Sequence, residues 1–208
     1  MNVFDVSMKQ IRNGLVYLPN ETKPFTGMFV DWHPNGQKKE EVNYIDGWAV
    51  GTHTVWYNNA QKAVEYNYID GKEDGKYTQW YENGQKNRES NYIDGKLDGK
   101  YTRWFKYGQE YIRESSNYID GKEGGKYTHW HGNGTKAEES NYIDGKLDGK
   151  YTQWYENGQK YNWGSGNYID GKETSFIVMR LKKIGINPKK WYFVIFTVVI
   201  IFFLNQIH

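Results

Sequence analysis

Asn67-Tyr-Ile-Asp-Gly-Lys72 decides the fold, because the chain repeats this phrase at near-equal spacing. NYIDGK recurs at 91–96, 117–122, 141–146 and 167–172, and residues 43–47 carry NYIDG with Trp48 in the lysine place. A period of 20–50 residues is typical of an array built from one supersecondary unit. The sequence therefore predicts a repeat protein.

The repeat unit is 24 residues long in most copies and opens with a glycine, so we divide the chain into a lead-in and capping strand (1–26) and six repeats (27–174). The copies begin at Gly27, Gly51, Gly75, Gly99, Gly125 and Gly149. Two aromatic positions recur, and we expect a structural role for them: Trp32, Trp56, Trp80, Trp104, Trp130, Trp154, Tyr44, Tyr68, Tyr92, Tyr118, Tyr142 and Tyr168.

Each repeat contains two turn signals, Asn-Gly (for example 83–84) and Asp-Gly (for example 94–95). Both dipeptides favour two-residue hairpin turns, which need positive φ. The runs between them are rich in Tyr, Thr and Trp, which suit strands. The predicted fold is all-β: an array of six β-hairpins forming a single twisted antiparallel meander, followed by a C-terminal membrane helix.

The register follows from placing Asn83-Gly84 at the tip of a hairpin. Trp80 then lies opposite Asn87, and Thr78 lies opposite Glu89. Side chains alternate between faces along a strand, so Thr78 and Trp80 share one face, and Tyr77 shares the other with Gln79. Neither face is aliphatic, and the sequence alone does not show which face is buried.

The fourth copy has 26 residues, with the extra two between Gln109 and Asn117. An insertion of two residues preserves side-chain alternation, whereas one residue would reverse every later side chain. We expect the strand to absorb the insertion by lengthening or by a pair of bulges.

Composition excludes several classes of protein. The chain has 208 residues, of which 25% are charged and 18% aromatic, and its net charge is only +2. So small a charge implies no strong field for nucleic acid. Cysteine is absent, which excludes disulfides and Cys-ligated metals and fits a reducing compartment.

The two ends of the array have different signals. Residues 14–20 read as a strand and turn leading into Pro24-Phe-Thr-Gly27, and we expect this strand to pair with the first hairpin. At the other end the sixth copy degrades, and Ser175 stands where the next repeat glycine would be. Terminal repeats of an array need such caps.

The pattern Gly-x4-Trp-Tyr-x-Asn-Gly-Gln-Lys…Tyr-x-Asp-Gly-Lys-x-Asp-Gly resembles the bacterial variant of the MORN repeat over residues 15–174, and Lys23-Pro-Phe-Thr-Gly27 is similar to the usual opening of such arrays. The resemblance implies a β-hairpin array with a binding role. Variants of this kind are often described as antitoxin-like, and MORN repeats elsewhere are associated with protein scaffolding and membrane lipids.

A second family has similar aromatic hairpins, the choline-binding type found on bacterial surfaces. Its repeats run nearer 20 residues and its members are exported. Residues 1–10 lack the basic start and apolar run of a secretory signal peptide. We therefore expect a cytoplasmic array, and an exported carbohydrate- or choline-type binder is the last alternative.

The C-terminal tail predicts a membrane anchor. Residues 191–207 form a 17-residue apolar stretch, at the lower limit for a spanning helix. A basic juxtamembrane linker, 175–190, precedes it, and Lys/Arg on one side with aromatics at the boundary favour a cytoplasmic repeat domain. The membrane-interface residues are Arg180, Lys182, Lys183, Lys189, Lys190, Trp191 and Tyr192. An interfacial helix or a buried element is the alternative.

Catalytic and metal signals are weak. Asp70, Asp94 and Asp144 recur in every copy and therefore mark turns. His129-x-His131 could offer two imidazoles to a metal, but no third ligand is evident. We predict no catalytic residue, no metal site and no cofactor.

The position after each lead tryptophan varies more and is the candidate partner-binding set: Tyr57, Tyr81, Phe105, His131 and Tyr155. Exposed aromatics in a row are typical of binding surfaces. The sequence thus predicts a non-enzymatic, membrane-tethered protein-binding module. An array that binds anionic lipid headgroups is the first alternative.

Overall fold

A computed structural model describes residues 3–106, 112–161 and 165–174. The predicted linker (175–190) and membrane helix (191–207) lie outside the described residues. Within them, no helix has the length and apolar character needed to cross a membrane.

Twenty strands and one 3₁₀ helix, Val6–Met8, form the regular structure of this part of the chain. The lead-in contains β1 (Val3–Asp5), β2 (Gln10–Arg12) and β3 (Leu15–Tyr17). The first two copies contain β4 (Gly27–Trp32), β5 (Lys38–Ile45), β6 (Trp48–Trp56) and β7 (Lys62–Ile69).

The later copies follow one scheme, in which a two-residue strand leads into a strand of five or six residues. These strands are β8 (Lys72–Glu73), β9 (Gly75–Trp80), β10 (Lys86–Ile93), β11 (Lys96–Leu97), β12 (Gly99–Trp104), β13 (Ile112–Ile119) and β14 (Lys122–Glu123). The rest are β15 (Gly125–Trp130), β16 (Lys136–Ile143), β17 (Lys146–Leu147), β18 (Gly149–Gln153), β19 (Gly166–Ile169) and β20 (Lys172–Glu173).

The repeats form a continuous antiparallel meander, as predicted. Within the third copy β9 pairs with β10, and β10 then pairs with β12 of the fourth copy. The same alternation joins β4 to β5 and β5 to β6, and it continues through β18 and β19. Each hairpin is therefore held by the hairpins before and after it in sequence.

The Asp-Gly turns are the predicted two-residue turns. In all six, Asp has φ of 47–53° and Gly has φ of 75–81°. Two consecutive positive φ angles define the type I′ turn, whose twist matches that of the flanking strands. Asp tolerates this region better than most residues, and Gly has no Cβ to obstruct it.

The Asn-Gly loops differ from the prediction. The Tyr81 amide donates to the Gln85 carbonyl (2.8 Å) and the Gly84 amide to the Tyr81 carbonyl (2.9 Å), so the loop has three residues. Of the Asn-Gly pair only Gly84 has positive φ. The predicted pairing of Trp80 with Asn87 is wrong, because Trp80 pairs with Lys86. A bulge at Asn87 then restores the predicted pairing of Thr78 with Glu89.

The fourth copy also differs from the prediction. Strand β13 spans eight residues, as β10 and β16 do, and its Ile112 pairs with Trp104. Since Trp80 pairs with Lys86 in the third copy, the two additional residues fall in the connection before Ile112. A loop accepts added length more readily than a strand whose register is fixed by both neighbours.

The lead-in caps the first copy. Strand β1 pairs in parallel with β4. The predicted pairing of the 14–20 strand with the first hairpin is not observed, because β3 pairs with β2. The contact of β3 with the first copy is made through backbone: the Val16 amide donates to the Gly47 carbonyl at 3.1 Å. Apolar side chains gather here in a single core of Val16, Phe25, Phe29, Val42 and Tyr44.

Copies two to six have no comparable core. Among their described residues the most buried side chains are mainly a threonine in each copy and, on the opposite face in copies three to five, a serine: Thr54, Thr78, Thr102, Thr128, Thr152, Ser90, Ser116 and Ser140. Each strand contacts chiefly the strands to which it is hydrogen-bonded. The described repeats are thus a single-layer sheet, and both faces are covered only by their own long side chains.

Candidate functional site

The sheet has two chemically distinct faces. We call the face with Thr78, Trp80 and Glu89 and their equivalents the tryptophan face. The face with Tyr77, Ser90 and their equivalents is the tyrosine face. The cross-strand pairs Thr78–Glu89 and Tyr77–Ser90 place these residues on opposite sides of the same hairpin.

On the tryptophan face, lysines and glutamates link neighbouring positions. Lys76 and Lys86 both pair with Glu89, at 3.0 and 2.6 Å. The ammonium of Lys86 also lies 5.7 Å from the centre of the Trp104 ring, in the next copy. Lys38 over Trp56 and Lys136 over Trp154 repeat this contact at 5.4 and 5.8 Å. Three of the six lead tryptophans, Trp56, Trp104 and Trp154, therefore take part in cation–π contacts between copies.

The candidate partner-binding residues make contacts between copies. The hydroxyls of Tyr57 and Tyr81 donate to the carbonyl oxygens of Trp80 and Trp104 at 2.7 and 2.8 Å. His131 Nε2 lies 2.9 Å from the carbonyl oxygen of Trp154, and His33 in the first copy makes the same contact with Trp56. Tyrosine and histidine thus serve the same inter-copy role at this position.

The other two members of that set differ. Phe105 has no hydroxyl to offer and is half-buried. Tyr155, in the last copy, is 45% exposed and stacks on Tyr161 with ring centres 3.7 Å apart. Whether any of the five also contacts a partner stays a prediction.

The loop asparagines form a second link between copies. Asn83 Oδ1 accepts from the Gln85 amide at 3.1 Å, and Asn83 Nδ2 donates to the Lys106 carbonyl of the next loop at 3.2 Å. Asn35, Asn59 and Asn133 donate in the same way at 2.8–2.9 Å. The loop asparagine therefore has two roles: its side chain forms an Asx turn within its own loop and a hydrogen bond to the next loop.

The Asp-Gly turns stack as well, and this contact accounts for the repeated phrase. Lys72 pairs with Asp94, the Asp74 carboxylate accepts from the Asp94 amide at 3.2 Å, and the Gly95 amide donates to the Glu73 carbonyl at 2.8 Å. The turns at Asp120 and Asp170 repeat all three contacts. The lysine and the aspartate of the phrase, with the aspartate two residues after it, thus join one turn to the next.

Two turns of the array, at Asp70 and Asp144, have no such carboxylate in the copy before them. Val50 and Gly124 stand where the other joints have Asp74, Asp98 or Asp148. The Gly145 amide still donates to the Glu123 carbonyl at 2.8 Å. Among the residues described, no side chain of the preceding copy accepts a hydrogen bond from the Asp144 amide.

On the tyrosine face, rings pair within each hairpin. Tyr77 and Tyr92 have centres 5.9 Å apart, and the pairs Tyr101–Tyr118, Tyr127–Tyr142 and Tyr151–Tyr168 are T-shaped at 5.8–6.1 Å. Burial raises the pKa of Tyr118 to about 12, and the Glu123 carboxylate adds to the shift. The Tyr118 hydroxyl therefore stays protonated at neutral pH and donates to the Glu123 carboxylate at 3.3 Å.

An exposed aliphatic row runs along the edge that carries the Asp-Gly turns, and sequence reasoning missed it. Its members precede the turns and are 53–68% exposed: Ile45, Ile69, Ile93, Ile119 and Ile143. The signal was present in the phrase itself, whose isoleucine recurs without an apolar partner across the turn: lysine faces Ile93, Ile119 and Ile143.

No group of three metal-ligating side chains exists in the described part of the chain. His129 stands on β15 in register with Glu114 and Glu138, while His131 lies in the loop and contacts the Trp154 carbonyl oxygen. The two histidines therefore do not form a pair that shares a ligand set. The membrane-interface residues Arg180 to Tyr192 lie outside the described residues.

Three segments of the chain match the MORN repeat variant. They are residues 25–46, 73–94 and 147–162. The first covers the capped copy from Phe25 to Asp46, and the others fall on the third and sixth copies. The matches support the MORN-variant assignment, and they agree with the observed hairpin array. A comparison with curated protein sequences gave no match. MORN repeats are non-enzymatic modules that bind proteins or membranes.

Proposed function

We propose that the chain is a non-enzymatic protein-binding module whose repeat array is held at the cytoplasmic face of a membrane by residues 191–207. The observation that supports a binding role best is the single-layer sheet of copies two to six. Its faces and its turn edge present regular rows of tyrosine, tryptophan, charged and isoleucine side chains to solvent. A partner can contact many equivalent side chains at once on such a surface.

The structure favours a protein partner over lipid headgroups for the array itself. Many of its lysines are paired with carboxylates, for example Lys72 with Asp94 and Lys96 with Asp120. A lysine so paired offers little net charge to a phosphate. Any attraction to anionic lipid would then come from the basic linker.

The binding role is tested by purifying the full chain from detergent-solubilised cells and comparing its bound proteins with those of residues 175–208 alone. We expect at least one protein to bind the full chain in a defined ratio and to be absent from the tail. Retention of the same proteins by the tail alone would refute an array-based binding role.

An antitoxin-like role is the sharper version of this proposal. It requires the bound partner to inhibit growth when expressed alone and the full chain to relieve that inhibition. A partner without effect on growth would leave the scaffold role and remove the antitoxin role.

The membrane tether is tested by carbonate extraction of the full chain beside a 1–178 truncation. We expect the full chain to stay in the membrane fraction and the truncation to be released. Release of both would remove the tether from the proposal, and retention of both would show that the array itself binds the membrane.

A further inference from the structure

The third copy shows what the tyrosine face accepts. Arg88 lies with its guanidinium carbon 4.4 Å from the centre of the Tyr77 ring and 5.4 Å from that of Tyr101. Its Nη2 donates to the Tyr92 hydroxyl at 2.5 Å and lies 3.5 Å from the Ser90 hydroxyl. We call the space between the tyrosines of two adjacent copies, above the buried serine, a slot. In the third copy the planar cation of Arg88 occupies this slot and is stabilised there by both rings.

The first copy fills the same position differently. Glu40 occupies the place of Arg88, and its Oε1 lies 3.0 Å from His53 Nε2. The histidine holds the pKa of Glu40 below its usual range. A glutamate at this position thus has a basic group of the chain beside it.

The fourth and fifth copies also have glutamate there, Glu114 and Glu138, on either side of Tyr127. Arg103 Nη1 forms an ion pair with Glu114 at 3.9 Å, longer than the other ion pairs of the described residues, and no lysine or arginine of that part of the chain forms an ion pair with Glu138. His129 stands between the two glutamates in register, and Glu123 adds a third carboxylate nearby. The charge around Tyr127 is therefore mainly negative.

The electrostatic effect is visible in the tyrosines. Burial raises the pKa of Tyr127, and the carboxylates of Glu114 and Glu138 raise it further. Burial likewise raises the pKa of Tyr151 to about 12, with Glu138 as the next cause. A guanidinium placed against these rings would offset that negative potential.

The serines beneath the slots of the fourth and fifth copies are a second, independent indication that these slots can accept a hydrogen-bonding group. Ser116 and Ser140 are 2% and 0% exposed, and neither hydroxyl has a hydrogen-bond partner within the described ranges. Tyr118 and Tyr142 lie close to them but not in hydrogen-bond geometry. Their equivalent Ser90 is the serine that Arg88 reaches. The fourth and fifth copies thus retain the serine but lack the arginine above it.

We infer that the tyrosine face of copies four to six binds an arginine-bearing segment of a partner protein, in a slot formed by Tyr127, Tyr151 and Glu138 and a neighbouring slot formed by Tyr101, Tyr127 and Glu114. The partner arginine takes the place that Arg88 holds in the third copy. This inference rests on the proposed protein-binding role and names the chemistry of its partner.

The two slots lie two strands apart, about 10 Å across the sheet. A peptide in the polyproline II form rises about 3.1 Å per residue with three residues per turn, so two arginines three residues apart lie on one side and span both slots. The partner segment is therefore expected to carry Arg-x-x-Arg when it crosses the strands in the polyproline II form.

The test titrates detergent-solubilised full chain into a fluorescein-labelled Gly-Arg-Gly-Gly-Arg-Gly peptide and follows anisotropy. The matched control peptide carries citrulline, which keeps the shape of arginine without its charge. We expect the citrulline peptide to bind at least about tenfold more weakly, because both ion pairs and cation–π contacts are lost. Equal binding of the two peptides would overturn the inference.

Three variants locate the site. Glu138→Arg supplies the cation from the chain itself, as Arg88 does, and should weaken peptide binding about tenfold or more. Glu139→Gln changes the adjacent residue on the opposite face and should leave binding unchanged. Arg88→Glu should open a third slot and strengthen binding of a peptide with three arginines at the same spacing. Unfolding midpoints check that each variant folds.

Failure here is distinguishable from failure of the proposed function. If Glu138→Arg leaves peptide binding unchanged, the arginine slots are wrong while partner capture by the array can still hold. If the partner is bound by the tail alone, the protein-binding role of the array is wrong even when the peptide binds.

Discussion

The first copy and the third copy place different side chains on the same hairpin scaffold. Phe29, Val30 and Val42 of the first copy stand where the third has Tyr77, Thr78 and Ser90. All three are buried in the first copy, with Phe29 fully so, and Phe29 and Val42 belong to the apolar core that includes Val16 and Phe25 of the lead-in. In the third copy only the threonine and the serine are buried, and the tyrosine ring stays half exposed.

The difference shows two ways of stabilising one backbone. The capped copy relies on removal of apolar surface from water, which is effective because a second layer covers it. The middle copies have no second layer, so small polar side chains sit close to the backbone while tyrosine, lysine and glutamate side chains cover them. Their stability comes from repeated contacts with the neighbouring copies.

Phe29→Ala should have the largest effect, since it removes the centre of the apolar core. A fully buried Phe→Ala costs about 3–5 kcal/mol of unfolding free energy. Hydrogen exchange of the first-copy amides measures this loss locally. Tyr77→Ala is the matched change in the third copy and should cost about half as much, because its ring is only partly removed from water. Equal costs would contradict the contrast between core and open face.

Gly71→Ala should cost more than Gly95→Ala. Both glycines have positive φ, +77° and +79°, where a Cβ costs about 1–2 kcal/mol. At Gly71 the added Cβ would also overlap the Trp48 ring, whereas at Gly95 it meets only Lys72 Cβ at 3.9 Å. Chemical denaturation compares the two. In a Trp48→Lys background the additional cost of Gly71→Ala over Gly95→Ala should disappear. If this difference persists, the Trp48 ring is not its cause.

Tyr81→Phe removes the hydroxyl that joins the third copy to the Trp104 carbonyl. The loss of one such hydrogen bond should cost about 1 kcal/mol. Tyr155→Phe is the control, because Tyr155 follows the last lead tryptophan and contacts Tyr161 instead. Hydrogen exchange in the loop after Trp80 should rise only for the first variant. The same rise for both would show that the hydroxyl link does not matter.

Gly124→Asp should stabilise the array by up to about 1 kcal/mol, because it gives the Asp144 amide the carboxylate acceptor that the amides of Asp94, Asp120 and Asp170 have. A Cβ at Gly124 meets the flexible Cδ1 of Ile119 at 3.2 Å, which must shift slightly. Gly124→Ala separates the gain in backbone rigidity from the hydrogen bond. The thermal unfolding midpoint should be higher for Gly124→Asp than for Gly124→Ala. The reverse order would refute the stabilising role of the hydrogen bond to the Asp144 amide.

Acid should weaken the ion pairs of the tryptophan face in the fifth copy. Hydrogen bonds from Lys126 and Lys136 hold the pKa of Glu139 below its usual range. A lowered folded pKa contributes stability above the ordinary glutamate pKa, and this is lost as pH falls through the folded value. Glu139→Gln should therefore destabilise slightly at pH 7 and have no effect near pH 3, as unfolding midpoints can show. An effect that is equal at both pH values would exclude the ion pairs as its source.

The Asp-Gly turns and the meander could be predicted because they depend on local chemistry. Two positive φ angles need Asp-Gly, and the short interval to the next turn leaves room only for strands. The Asn-Gly loops were misread because the same dipeptide suits a three-residue loop, in which Gly84 alone has positive φ. Nothing in the dipeptide distinguishes the two turns.

The contacts between copies were less predictable. Alternation of Tyr81 with His131 suggested a variable binding position, but both side chains end in a polar group at the right reach for the next carbonyl. That reach depends on how loops stack, which the sequence does not give. The arginine of the third copy and the glutamates of the next two became meaningful only when they were found at one position of the sheet.

Each hairpin of the array chiefly contacts the hairpins next to it. The sheet can therefore be lengthened by added repeats. Residues 75–86 and 149–160 are identical, and so are 90–102 and 140–152. Insertion of one further unit between such segments would lengthen the sheet by two strand spacings, about 10 Å, and would leave the cap untouched. Copy number can therefore act as a ruler that sets how many partner side chains the surface engages.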